Sequence, residues 1–128
     1  MPAILLIEDE APLRTSLAAI LRCKGFTVIE ASNGSEGVQL SKTCKADLIL
    51  SDVKMPVMDG LAMLEALRKE PATARTPFIL MTGRPDDADL CRAYESGAAD
   101  YLVKPVPTTE LVAAINAQLG KPRDFSHG

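Results

Sequence analysis

The sequence predicts an α/β domain, a doubly wound parallel sheet of five strands with helices on both faces. Two observations carry this. Short apolar runs alternate strictly with helix-like stretches five times along the 128 residues, the pattern of βα units joined by right-handed crossovers. The clearest of these runs are also apolar at consecutive positions, as in strands covered on both sides. Alternation alone leaves the strand order open among doubly wound arrangements.

The first run, Ala3–Ile7 (AILLI), ends in Glu8, Asp9 and Glu10. Pro12 suits the first turn of a helix, and Leu13, Leu17, Ile20 and Leu21 repeat at helical spacing until Lys24 and Gly25 close it. The run Phe26–Ala31 is the second strand, and Asn33-Gly34 turns the chain out of it. A weakly amphipathic helix with Val38 and Leu40 is predicted over 35–44. The third strand, Leu48–Ser51, stops at Asp52, and a loop with Pro56 and Asp59-Gly60 follows. Leu61, Leu64, Ala66 and Leu67 mark a helix that ends before Pro71. The fourth strand, Pro77–Thr82, finishes on a hydroxyl and Gly83. Asp86–Ser96 is a helix with an acidic first turn, which complements the helix dipole. Tyr101–Val103 is a brief fifth strand ending in Lys104-Pro105. Thr108 or Thr109 is expected to cap a last helix with a stripe of Leu111, Ile115 and Leu119. Residues 1–120 thus form one domain, and 121–128 read as a polar tail or the start of a linker.

Composition narrows the function. Hydrophobic residues make up 47% and charged residues 24%, a balance that suits one soluble core. No apolar run approaches the ~18 residues of a membrane span. The acids that follow the first run, with no basic stretch before it, exclude a signal peptide. Cys23, Cys44 and Cys91 lie far apart without paired spacing, so a disulfide framework or zinc site is not expected. They are read as buried or half-buried reduced thiols, and the setting as cytoplasmic. The net charge is −3 with no basic block, so direct nucleic-acid binding is not expected. The single histidine, His127, lies in the tail, which removes histidine triads and histidine phosphotransfer.

The strand ends hold the chemistry. Ligands of open parallel sheets gather outside the carboxyl ends of the strands. There this sequence sets Glu8 and Asp9, then Asp52, Thr82 and Lys104. If strands one, three, four and five are neighbours, these groups meet in one cleft. Crowded carboxylates need a proton or a cation, and Mg²⁺ with oxygen ligands and waters fits best. A metal, a lysine and a hydroxyl beside a nucleophilic carboxylate form a phosphoryl-transfer set. Each residue alone has an ordinary explanation as a helix cap or a solvated charge. Their joint placement at four strand ends outweighs it.

With LLIEDE at 5–10, DLILSDVKMPVMDG at 47–60, MTG at 81–83 and GAADYLVKP at 97–105, the chain resembles the receiver domains of two-component response regulators over nearly its whole length. The resemblance implies the flavodoxin-like strand order 2-1-3-4-5. It implies that Asp52 accepts the phosphoryl group and that Asp9 binds Mg²⁺ directly, with Glu8 acting through a coordinated water and the Lys54 carbonyl completing the site. It further implies that Thr82 and Lys104 bind the phosphoryl group, that Lys104-Pro105 is cis, and that Tyr101 is a switch aromatic moving with Thr82. Such a protein is a phosphorylation-controlled switch, not an enzyme with an external substrate, and it catalyses only its own phosphorylation and dephosphorylation. Its partners would be a sensor histidine kinase or phosphotransfer protein and a downstream protein. The latter would dock on the face of the fourth helix, fifth strand and fifth helix, with the regulator a monomer or a phosphorylation-dependent dimer.

Three departures from the family pattern matter. Gly83 stands where alanine is common, and Pro107 where a helix cap is often found. Lys54 and Arg84 are both basic, and in the family geometry they flank the water approach and would lengthen the phosphoryl lifetime. The chain holds no effector domain, which leaves a free-standing regulator or part of a larger protein; Met1 favours a natural N-terminus. A phosphohydrolase that forms an aspartyl phosphate is the alternative, but the haloacid-dehalogenase type wants a carboxylate where Lys54 stands. A flavodoxin-like FMN binder would need a phosphate-cradling loop after the first strand, where Glu8, Asp9 and Glu10 would repel it.

Overall fold

The computed structural model describes residues 1–120; the predicted tail and His127 lie outside them. Strands and helices alternate as β1 (Ala3–Ile7), α1 (Ala11–Cys23), β2 (Thr27–Ala31), α2 (Gly34–Thr43), β3 (Leu48–Asp52), α3 (Gly60–Arg68), β4 (Phe78–Thr82), α4 (Asp87–Glu95), β5 (Asp100–Val103) and α5 (Thr108–Leu119). All pairings are parallel and the order is β2-β1-β3-β4-β5, the expected doubly wound arrangement. No helix among the described residues is long and apolar enough to cross a membrane.

The apolar runs divide by parity. Ile4, Leu6, Leu48, Leu50, Ile79 and Met81 point to one face, where Ala18 and Leu21 of α1 and Leu111 and Ile115 of α5 cover them. Leu5, Ile7, Ile49, Phe78 and Leu80 point to the other, beneath Leu61, Met63, Leu64 and Leu67 of α3 and Ala93 of α4. A strand covered on both sides has no polar face to offer, which is why β1 and β3 read as unbroken apolar runs.

Two expectations need correction, on the cysteines and on the cap of α5. α2 buries Gly34, Gly37 and Ser41, and its Val38 and Leu40 are partly buried against the same core. A Cβ at Gly37 would come 2.9 Å from Ile7 Cγ1 and 3.0 Å from Met63 Sδ. The helix therefore lies close on the sheet, and its smallest residues face inward. Cys23 and Cys91 are exposed and Cys44 is half-buried. Cys23 lies two residues past buried Leu21, and Cys91 two before buried Ala93, about 200° around each helix. Neither Thr108 nor Thr109 caps α5: Pro107 holds the cap position with φ −59° and ψ 142°, no side chain bonds there, and its carbonyl accepts the Leu111 N–H at 2.9 Å. Proline's fixed φ and free carbonyl begin the helix one residue earlier than a threonine cap would.

Candidate phosphorylation and metal site

The register sets the site. β3 runs one residue further than expected, so Asp52 is its last residue and pairs with Met81 of β4. Thr82 ends β4 beside Val103 of β5, and Lys104 follows. Glu8 and Asp9 leave the end of β1, whose Ile7 pairs with Ser51. The chain next to Asp52 is confined: α3 starts so close to β3 that a Cβ at Gly60 would collide with the Asp52 carbonyl and come 2.9 Å from Leu80 Cδ2.

Glu8, Asp9 and Asp52 each present a carboxylate oxygen, all within 4.8 Å of one another. Glu8 is fully buried, Asp52 is 7% exposed, and Asp9 is open to solvent. Lys104 joins two of them, with Nζ 2.9 Å from Glu8 Oε1 and 3.1 Å from Asp52 Oδ2. The Lys104-Pro105 bond is cis, as expected. The Glu10 N–H donates to Glu8 Oε2 at 3.2 Å, and the Val53 N–H donates to Asp52 Oδ1 at 3.1 Å. Burial pushes the Glu8 carboxyl above its ordinary value, and the Asp52 charge pushes the same way against the Lys104 ammonium and the Glu10 N–H. Burial alone would lower Lys104, but its bonds to Glu8 and Asp52 outweigh that and hold it above the usual lysine value. A buried carboxylate held high beside two others is short of positive charge. A hard cation with oxygen ligands is the group this donor set fits.

The other predicted residues are less tightly gathered. Thr82 is buried, and its Oγ1 accepts the Arg84 N–H at 3.1 Å and donates to the Arg84 carbonyl at 3.2 Å. Among the described residues, nothing beyond its chain neighbours lies within 4 Å of the place a Cβ would take at Gly83. Tyr101 packs its ring against the core on the α3 and α4 face, and its hydroxyl is buried without a hydrogen-bond partner among the described residues. Burial raises its pKa, helped by the Asp89 charge. The exposed Lys54 reaches α4 instead of Asp52, with Nζ 3.4 Å from Asp89 Oδ2. Arg84 is exposed. Sequence reasoning missed Asp89, for which only its acidic surroundings offered a signal. It also missed Arg14, whose Nη1 donates to the Glu8 carbonyl at 2.8 Å.

Fold and strand-end chemistry together define the signalling domains that receive a phosphoryl group. The chain belongs to the response regulator receiver domain family, whose model matches residues 4–116. Such a domain is a signalling switch. Among curated relatives, the transcriptional regulatory protein AfsQ1 of Streptomyces coelicolor is 42% identical over 93% of this chain and 52% of its own length. Protein PilH of Pseudomonas aeruginosa is 35% identical over 93% of this chain and 98% of its own length. The chain spans about half the length of most of the curated relatives it matches. The receiver domain of a Pseudomonas aeruginosa sensor histidine kinase, solved with a magnesium ion coordinated in its active site cleft, superposes with a TM-score of 0.87. It is 30% identical over 94% of this chain and 98% of that one.

Proposed function

We propose that Asp52 is the phospho-acceptor of a two-component relay, and that Asp9, Asp52 and the Lys54 carbonyl hold Mg²⁺ with Glu8 behind a coordinated water. The reading rests on one observation: three carboxylate oxygens gather within 4.8 Å, one of them belonging to an aspartate held by a lysine at the end of the central strand. Bound there, Mg²⁺ supplies positive charge against the phosphoryl oxygens. The Val53 N–H bond orients Asp52, leaving Oδ2 toward Lys104.

An Asp52 oxygen attacks the phosphorus of a phosphohistidine on the donor protein. The P–N bond breaks, its electron pair stays on the imidazole nitrogen, and an acyl phosphate forms. Lys104 is the near cation for the transferred oxygens. The Thr82 hydroxyl would leave the Arg84 carbonyl and donate to one of them, and Tyr101 would move into the room it vacates. Lys54 and Arg84 would stand against the incoming water and set the lifetime. The receiver unit is residues 1–120, with 121–128 as tail or linker, acting in the cytoplasm. A sensor histidine kinase or phosphotransfer protein donates, and a downstream protein reads the face of α4, β5 and α5, in a monomer or a phosphorylation-dependent dimer.

The test is incubation with Mg²⁺ and a small acyl phosphate, followed by intact mass and hydroxylamine treatment. One hydroxylamine-sensitive phosphoryl adduct is expected, lost in Asp52→Asn, which should fold normally because the amide is nearly isosteric. Undiminished labelling of that variant would overturn the acceptor assignment. Rapid multiple turnover would point to a hydrolase.

A further inference from the structure

Of the three clustered carboxylates, that of Asp9 is the least held. Glu8 is fixed through its side chain by Lys104 Nζ and the Glu10 N–H, and Asp52 by Lys104 Nζ and the Val53 N–H. Asp9 is exposed, and among the described residues neither a hydrogen bond nor an ion pair steadies its carboxylate. Its place beside the other two is therefore set by its own main chain, through the peptide that joins Glu8 to Asp9.

That peptide is tied to β2 from both sides of Glu8. The Glu8 N–H donates to the Ala31 carbonyl at 3.1 Å, and the Glu8 carbonyl accepts Arg14 Nη1 at 2.8 Å. Arg14 ends the first turn of α1, where its own N–H donates to the Glu10 carbonyl at 2.8 Å. Its guanidinium is held in turn by Glu30, the residue before Ala31, with Nε 3.4 Å from Oε1. Arg22 takes the other oxygen of Glu30 at 3.2 Å. The contacts close a ring that runs from Glu8 through Ala31, Glu30 and Arg14 back to Glu8.

The ring has a consequence for Asp9. A peptide group is planar, so pinning the Glu8 carbonyl oxygen sets the plane from which the Asp9 Cα departs. An arginine can serve two partners from one rigid fork, here a carboxylate and a carbonyl. The Arg14 side chain is 19% exposed and that of Arg22 51%, so the inner arginine is built into the fold and the outer one is an ordinary surface charge. Joining α1 to β2 does not need Arg14, since Arg22 already bonds Glu30 and the Val28 carbonyl. What Arg14 adds is its hold on Glu8.

We propose that Arg14, steadied by Glu30, is a positioning residue for the metal site: it fixes the Glu8–Asp9 peptide so that the Asp9 carboxylate stands among the other ligands before Mg²⁺ arrives. The inference rests on the reading that Asp9 and Asp52 hold Mg²⁺ with Glu8 behind a coordinated water. Groups that orient metal ligands from behind commonly carry about tenfold or more of the affinity. Charge alone predicts the reverse for Arg14, because a cation near the site repels a second one.

The experiment is a Mg²⁺ titration of the ¹⁵N-labelled chain, followed by NMR at the amides of Asp9 and Val53. Arg14→Ala should weaken Mg²⁺ binding by about tenfold. Arg14→Lys keeps the charge but loses the fork, and should weaken it by about threefold or more. Arg22→Ala breaks an ion pair on the same helix without touching Glu8, and should stay within about twofold of the wild type. Without Mg²⁺, both Arg14 variants should move the Asp9 amide resonance, whose nitrogen shares a peptide with the Glu8 carbonyl. Unchanged or tighter binding in Arg14→Ala, or an equal loss in Arg22→Ala, would overturn the proposal. If Arg14→Ala does not fold, wild-type affinity in Arg14→Lys overturns it instead. A wild type with no saturable Mg²⁺ shift would overturn the metal reading and the proposal together, whereas wild-type binding that Arg14 does not affect overturns the proposal alone.

Discussion

α3 and α4 are neighbours of equal length, nine residues each, and they are held to the sheet in opposite ways. α3 buries Gly60, Leu61, Met63, Leu64 and Leu67. α4 buries only Ala93. Its other fastenings are polar: Arg92 Nε and Nη2 each donate to Glu65 of α3 at 2.9 Å, Ser96 Oγ donates to Glu65 at 3.4 Å, and Lys54 pairs with Asp89. Apolar burial is worth roughly 1.5–3 kcal/mol per large side chain, whereas exposed ion pairs are worth about 0–1. α3 is thus fixed by the core, while α4 rests on contacts that can be exchanged at small cost. Contacts of the second kind are the ones a helix can exchange at small cost if it moves.

The largest expected effect tests the core side of this contrast. Leu64→Ala should cost about 3 kcal/mol in urea unfolding through the cavity it leaves. Half-buried Leu90→Ala on α4 should cost about 1 kcal/mol or less. Equal losses would mean that α4 is anchored as firmly as α3.

The second prediction concerns the cation between α4 and the site. Lys54→Asn with Arg84→Ala should shorten the phosphorylated lifetime by roughly five- to fiftyfold, with one kcal/mol worth about fivefold in rate. Autodephosphorylation in Mg²⁺ buffer measures it. An unchanged or longer lifetime would show that neither side chain shields the acyl phosphate, leaving Lys54 a fastening of α4 alone.

Thr82→Ala tests whether the ring beside α4 follows the site. The variant should still accept a phosphoryl group, while the shift of the Tyr101 ring resonances on phosphorylation should largely vanish. A full Tyr101 response in the variant would separate the two residues.

The smallest effect is the pH dependence of the clasp between the two helices. Hydrogen bonds from Arg92 hold the Glu65 carboxyl below its usual 4.5. A depressed folded value means that the pair stabilises fully above about pH 4.5 and loses its contribution as pH falls through the lowered value. Glu65→Gln should therefore cost about 0.5 kcal/mol or less at neutral pH, the pair being exposed, and less in acid, once pH falls through the lowered value. Thermal melts of both proteins at neutral and acid pH check this. A difference that survives acidification would place the effect in packing instead of charge.

Much of this was legible in the sequence. Consecutive apolar residues marked strands covered on both faces, and the β1 bounds agree with the predicted Ala3–Ile7. The acids, the hydroxyl and the lysine could be placed because each stands directly after such a run. The contacts between those ends were not legible, since they depend on the register of strands far apart in the chain. Lys104 was read as a partner for the phosphoryl group, yet it also joins Glu8 to Asp52, 96 residues from the first. The pairing of Lys54 with Asp89, 35 residues away, left no local mark either. Gly34 and Gly37 on the inward face of α2 escaped because hydrophobic periodicity gives no weight to glycine, the residue that close packing demands there.

Arg68 carries one further consequence, in the language of ionic strength. Its guanidinium is satisfied by the main-chain carbonyls of Thr73, Thr76 and Gly97, and burial lowers its pKa. Its counter-groups are dipoles in direct contact, which mobile ions screen poorly. The pairs on α4 are exposed, and the Debye length falls from ~10 Å at 0.1 M salt to ~3 Å at 1 M. Concentrated salt therefore acts on this molecule selectively, weakening the hold of α4 while the tether from α3 to the start of β4 and the end of α4 stays in force.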